Sequence, residues 1–259
     1  MDKQNTLQVL LNKVPEVTLS FWIIKVLSTT VGETAADYFA VHVGLGTIRT
    51  ATLMMAILTI VFAGQLISRR YVPVLYWTTV VLVSIVGTQI TDLLTDNLGV
   101  SLYASTATFL ILLAAAFSIW YRSERTLSIH TINTRRRETF YWGAILLTFA
   151  LGTAAGDLCT EALGLGFRLG VIVFAALIIA IYAVYVIGLN PVLCFWVAYI
   201  LTRPLGASLG DLLSQSTEYG GLGFGASATS LVFFSIIVAA VAWLSLADRD
   251  TASTRQISR

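Results

Sequence analysis

The chain has 259 residues, 57% hydrophobic and 12% charged, with a formal net charge of +2. Soluble domains carry roughly a quarter of charged residues, and a soluble protein of this size needs more polar surface to cover its core. The composition therefore excludes an ordinary soluble domain and points to a membrane.

Hydropathy predicts eight spans in chain order, near 19–42, 47–68, 74–97, 101–121, 140–163, 167–188, 193–216 and 226–246. Each is about 20 residues, enough for a hydrocarbon core about 30 Å thick. The opening MDKQNTLQVLLNKVPEV lacks a charged leader followed by an apolar core and a small-residue cleavage site, so no cleavable signal is expected. The odd-numbered spans share one spacing: Trp, nine residues, Gly, four residues, Asp. The sets are Trp22–Gly32–Asp37, Trp77–Gly87–Asp92, Trp142–Gly152–Asp157 and Trp196–Gly206–Asp211, and an aromatic residue (Phe21, Tyr76, Tyr141, Phe195) precedes every Trp. A fixed spacing that recurs four times marks one repeated structural unit.

Each repeat reads as a polar first helix and a plain second helix. Gly44, Gly99 and Gly164 follow their Asp by seven residues, where a glycine accepts the left-handed backbone that stops a helix. In repeat four the glycine comes late, at Gly220 and Gly221. Second-helix stretches such as MMAILTIVFAG and VIVFAALIIAI carry no charge in their middles and read as lipid-facing or scaffold-forming. Because every repeat holds two helices, all four share one orientation about an axis along the membrane normal. The expectation is an all-α integral membrane protein, with eight transmembrane helices as four tandem parallel two-helix repeats. They form a single membrane domain over 1–259, with repeats near 19–70, 74–121, 140–190 and 193–247. A basic linker, 122–139, divides them into two halves.

Basic residues are distributed unevenly between the two sides. The side of the amino terminus carries Lys3, Lys13, Arg69, Arg70, Arg122, Arg125, Arg135, Arg136, Arg137, Arg249, Arg255 and Arg259; the other carries Arg49 and Arg168. The positive-inside rule then places both termini and the linker in the cytoplasm. With the Trp in a cytoplasmic aromatic belt, the Asp lies about 22 Å along the helix, near the outer rim. The mid-helix Gly reads chiefly as a packing position that permits close helix approach.

Steps of four residues back from each Asp trace one helix face. That face reads Lys25, Thr29, Glu33, Asp37 in repeat one and Val80, Ser84, Thr88, Asp92 in repeat two. It reads Ile145, Phe149, Thr153, Asp157 in repeat three and Tyr199, Arg203, Ala207, Asp211 in repeat four. One step outward stand Val41, Asp96, Glu161 and Gln215, a second acidic level at the mouth. An Asp, Lys or Arg at a helix centre costs about 2.5–3.5 kcal/mol on the insertion scale, so these groups should turn inward, away from lipid. Five carboxylates against Lys25 and Arg203 make an acidic, oxygen-rich interior that favours cations or protons. Candidate path residues are Asp37, Asp92, Asp157, Asp211, Glu33, Lys25, Arg203, Thr29, Thr88 and Thr153. Arg203 is deep enough to need an acid partner, and Lys25 should pair with an acid or snorkel to the cytoplasmic surface. The same stripe has a plainer reading, in which it merely holds the bundle together.

NKVPEVTLSFWIIKVLSTTVGETAADYF in repeat one and LTRPLGASLGD in repeat four resemble bacterial multi-pass membrane proteins built from four tandem two-helix repeats, each with a Trp. The resemblance covers about 13–247 and implies a bacterial inner-membrane protein; that repeat has no assigned function, so no activity follows from it. On the residues alone the leading expectation is a cation transporter, for a divalent metal or a proton-coupled solute, with hard cations suited to the oxygen groups. The alternative is a sensor or assembly scaffold. No Ser-His-Asp set, HExxH or nucleotide loop points to an enzyme. His42 and His130 with Cys159 and Cys194 are too few and too scattered for haem or zinc, so no cofactor is expected. A disulfide between the two cysteines is not expected either. The partners read from the chain are the bilayer and a small cation, not nucleic acid, and Arg135–Arg137 read as facing anionic headgroups.

Overall fold

A computed structural model describes residues 12–257, with side chains described to residue 246. Lys3 and Arg259 lie outside the described residues, as do the side chains of Arg249 and Arg255. Eight long helices account for nearly all of it: α1 (Leu19–Asp37), α2 (Thr47–Ile67), α3 (Pro73–Asp92), α4 (Leu102–Glu124), α5 (Arg135–Asp157), α6 (Gly166–Val186), α7 (Pro191–Ser214) and α8 (Ala226–Ile257).

Local sequence sets the helix starts. Thr18, Ser101, Thr134 and Asn190 accept hydrogen bonds from the first-turn amides of α1, α4, α5 and α7. Pro73 and Pro191 occupy the first turns of α3 and α7, where no amide proton is missed. The far ends of α1, α3 and α5 hold a feature absent from the sequence reading. Just after each repeat Asp the helix widens into five π-helical residues, Tyr38–His42, Leu93–Asn97 and Leu158–Ala162. Each then stops at Gly44, Gly99 or Gly164, whose φ values are 74°, 68° and 69°. α7 lacks the π segment, and a short 3-10 turn, Thr217–Tyr219, precedes Gly220 at φ 86°.

Three boundaries differ from expectation, one of them the end of α8, which continues to Ile257 rather than 246. α4 runs to Glu124 and α5 begins at Arg135, so the linker shrinks to 125–134 and Arg135–Arg137 form the first turn of a helix. Thr134 caps that turn, which is why the helix starts five residues early.

The topology is a closed ring. α1, α3, α5 and α7 pack in sequence, and α7 returns to α1. Each second helix leans on the first helix of the following repeat: α2 on α3, α4 on α5, α6 on α7, and α8 back on α1. The four first helices thus form a pseudo-fourfold inner bundle. Their second helices form an outer shell with large apolar side chains turned outward; Ile60, Ile111, Ile179 and Leu231 are each about 70% exposed. Soluble monomers do not leave such continuous apolar faces in water.

Seven of the eight helices are long and apolar enough to cross a membrane. α1 falls outside that group because Lys25, Glu33 and Asp37 lie within its 19 residues. Its place in the inner ring matches that of α3, α5 and α7.

Candidate functional site

The recurring Trp–Gly–Asp spacing maps onto three cyclic contacts along the bundle axis. At one end the aromatic pairs interlock. Trp77 packs on Phe21, Trp142 on Tyr76, Trp196 on Tyr141 and Trp22 on Phe195, with ring centroids 5.4–6.2 Å apart. The Tyr76 and Tyr141 hydroxyls share a 2.6 Å hydrogen bond. This corrects the expectation of an aromatic belt: Trp77, Trp142 and Trp196 are buried inside the bundle and Trp22 is half-buried. Aromatic pairs gain from tilted and edge contacts beyond their buried area, and the ring of helices supplies those contacts.

The glycines come next. A Cβ on Gly32 would collide with Ser84, on Gly87 with Phe149, on Gly152 with Arg203, and on Gly206 with Thr29. In every case the glycine of one repeat receives the side chain that stands eight residues before the Asp of the next repeat. Small residues let helix backbones approach, and here they let the axial stripe side chains fit between helices.

Arg203 is the hub of that stripe. It is 1% exposed and its guanidinium touches all three other inner helices. Nε donates to Thr153 Oγ1 at 3.1 Å and Nη1 to the Thr29 carbonyl at 3.1 Å, while Nη2 donates to Glu33 and to Thr88. Glu33, Thr88 and Thr153 all stand four residues before their Asp. The fourth residue of that level is Ala207, whose small side chain leaves the centre to the guanidinium. A guanidinium is always charged, and its planar fork suits several acceptors at once. The expected acid partner of Arg203 is therefore Glu33.

Lys25 departs from expectation. It neither snorkels nor pairs with an acid: it is 1% exposed, and its Nζ makes no hydrogen bond among the described residues. Nζ lies over the rings of Phe149 and Tyr199, 4.1 and 4.2 Å from their centroids. The reason is geometric. The interlocked aromatic pairs block the route to the near helix end, and Arg203 already occupies Glu33. Phe149 and Tyr199 stand on the same axial stripe in repeats three and four.

The four Asp stand together at the other end of the inner bundle. Asp211 is buried and Asp37, Asp92 and Asp157 are half-buried. Each stands one helical turn beyond the level of Glu33, Thr88, Thr153 and Ala207. Among the described residues none of the four forms an ion pair. Gln89 donates to Asp92 at 3.3 Å. Asp96 and Glu161 are exposed just beyond. No group of three His, Cys, Asp or Glu among the described residues forms a metal centre. Cys159 and Cys194 are free thiols.

A second buried ion pair escaped the sequence reading. Lys13 Nζ lies 2.5 Å from Glu138, which also accepts from Gln65 at 3.1 Å. Its only trace in the sequence is one acid directly after Arg135–Arg137. Two cavities open on the flanks: one of about 480 Å³ between α1, α3 and α8, lined by Val31, Ala35, Val81 and Phe234 among others, and one of about 440 Å³ beside Arg168 and Tyr219. Neither is lined by a repeat Asp.

The repeats seen in the ring coincide with a family match. Residues 20–71, 75–126, 140–187 and 194–250 each match the Repeat of Unknown Function (DUF347). The chain belongs to the DUF347 family. No curated protein and no solved structure matches it. In this member the repeats keep the Trp, Gly and Asp of the ring, while the axial side chains between them differ from repeat to repeat.

Proposed function

We propose that this DUF347 protein is an integral membrane carrier that moves a small cation along the axis of its inner helix ring. All eight helices cross the bilayer, with both termini and the linker on the cytoplasmic side of a cell membrane, the inner membrane of a bacterium. One observation carries the reading: four repeats bring four Asp to one end of the ring, and among the described residues none of them forms an ion pair. Carboxylates in a membrane protein are expensive and mark ion or proton paths when they face the interior. Behind the mouth the axis is closed by Arg203 with Glu33, then by Lys25, then by the interlocked aromatics. In a carrier these layers would separate the Asp end from the aromatic end.

The charge asymmetry supports the orientation. Lys13, Arg69, Arg70, Arg122, Arg125 and Arg135–Arg137 lie at the aromatic end, against Arg49 and Arg168 at the Asp end. Cysteine substitutions near Gly46 and Gly221, in a background without Cys159 and Cys194, should label from outside intact cells, and one at Arg136 should not. The reverse pattern would turn the Asp mouth toward the cytoplasm.

A second reading has an observation of its own. Arg203 ties all four inner helices together, so the polar stripe also serves as a scaffold, and a sensor or assembly role needs nothing more. Flux decides between them. Purified protein in proteoliposomes should take up cations from a panel of Mg²⁺, Mn²⁺ and monovalent ions, with or without a pH gradient. Asp37→Asn and Asp211→Asn should lose most of that uptake while remaining folded in detergent. Normal uptake in all four Asp→Asn variants would leave the scaffold reading.

A further inference from the structure

Two cations lie on the axis, and they differ in what their surroundings allow. Arg203 is held by four hydrogen bonds, one of them to a carboxylate, and a guanidinium keeps its proton in proteins. Lys25, one level nearer the aromatic end, has neither an acid partner nor a hydrogen bond among the described residues. Nearby Ser84 Oγ and Tyr199 Oη, on the same axial stripe, are also buried without a hydrogen bond. A structural lysine at such depth would be matched by an acid, as Lys13 is matched by Glu138 in the same protein. Lys25 is instead enclosed by a surface that tolerates both of its forms. The faces of Phe149 and Tyr199 attract an ammonium, and their apolar bodies accept a neutral amine at little cost.

The charged and titratable neighbours are few. α7 presents Arg203 and Tyr199, α1 itself presents Glu33 beyond Arg203, and the nearest phenols on α3 and α5 are Tyr76 and Tyr141, bonded to each other. The described part of α8 offers no titratable side chain. Nothing in this set fixes a proton on Nζ.

We propose that Lys25 is the proton-carrying residue of the axial path. It takes a proton that enters through the Asp mouth, and releases it toward the aromatic end. In this step the Nζ lone pair binds the proton lost by an Asp carboxyl of the mouth, relayed through water past the Arg203–Glu33 pair, and the amine becomes an ammonium while the Asp is left as carboxylate. Release restores the amine, and no bond between heavy atoms changes. The inference rests on the transport reading and names the proton as the coupling ion.

The test uses the full chain in proteoliposomes with a trapped pH dye and an imposed pH gradient. Wild type should acidify the lumen. Lys25→Met, which fills the space without a proton, and Lys25→Arg, which keeps a fixed charge over the rings, should both lose the proton flux, and Lys25→His should retain part of it. Undiminished flux in Lys25→Arg or Lys25→Met would overturn the assignment. Metal uptake by wild type without proton movement would overturn it and leave the transport reading standing, whereas no flux of any ion overturns both. A measurement on wild type guards against misfolded variants. The chain has three lysines, Lys3, Lys13 and Lys25, so the ¹⁵N signal of Lys25 Nζ can be followed alone. It should interconvert between amine and ammonium as bath pH changes, at a midpoint that shifts in Asp211→Asn. A Lys25 signal fixed in one form over the whole folded pH range would overturn the proposal.

Discussion

At the scale of residues, the bundle turns on one guanidinium. Arg203 and Glu33 are both buried, and Arg203 is the Glu33 partner that closes the axis. Removing one member of a buried pair strands the other charge and costs about 3–5 kcal/mol. Arg203→Ala and Glu33→Ala should therefore each lower stability in detergent by about that amount, read from thermal or denaturant unfolding. The double variant should be less harmed than the sum of the two, because no lone charge is left. A loss equal to the sum would mean that the pair does not interact. This contact was partly legible in the sequence: a deep arginine has to find an acid, Glu33 or an Asp of the ring, and the structure gives Glu33. Lys25 was not legible by the same rule. Pairing alone predicts a partner for every buried charge, but the sequence does not say that Arg203 reaches Glu33 first. The cage of Phe149 and Tyr199 follows only once the rotation of three helices about the axis is known.

At the scale of elements, the repeat spacing becomes a rule for helix contact. The Trp of each inner helix seats on the aromatic residue of the preceding one, and its Gly receives a stripe side chain from the following one. α5 holds both kinds of glycine and gives an internal control. Gly152 faces Arg203 and Pro204, whereas Gly143 is exposed and has open space around its missing Cβ. Gly152→Ala should cost about 1–3 kcal/mol, the usual penalty for forcing extra volume into a packed site. Gly143→Ala should leave stability unchanged or raise it by up to about 1 kcal/mol through helix propensity. Equal effects in melting curves would show that the α5–α7 approach does not depend on Gly152. Element positions were readable because hydropathy and glycine stops are local properties of the chain. The π-helical segments were not, since a change from i→i+4 to i→i+5 hydrogen bonding leaves no mark in composition or hydropathy. The Trp was misplaced for a related reason: an aromatic near a helix end suits a lipid interface and an interhelical clasp equally well, and only the neighbouring helix decides.

At the scale of the whole molecule, the ring has no privileged first repeat. Each outer helix covers the next inner helix, and α8 covers α1 by the same relation that α2 has to α3. The covalent order therefore supplies three of the four repeat-to-repeat joins, and noncovalent packing supplies the fourth. Repeats of this kind share nearest-neighbour interfaces, so closure is stabilised by the same contacts as every other join. The first and last described residues, 12 and 257, belong to the aromatic end of the bundle, as does the 125–134 linker, because α1 and α5 start there and α4 and α8 run toward it. A circular permutant that opens between Arg125 and Thr126, and joins residue 257 to residue 12 through a flexible Gly/Ser linker, should fold to the same ring. It keeps the Lys13–Glu138 pair, the Arg203 hub and all four Trp clasps, and it breaks none of the helix contacts. Size-exclusion chromatography in detergent should show one species of wild-type size, with unfolding close to that of the parent. A permutant that aggregates, while the parent chain cut at the same bond stays assembled, would mean that ring closure at α8–α1 depends on free chain ends. Tests of ion flux in a permutant that folds then probe the axis alone, since its inner helices, Asp mouth and charged closure are unchanged while the order of the chain is not.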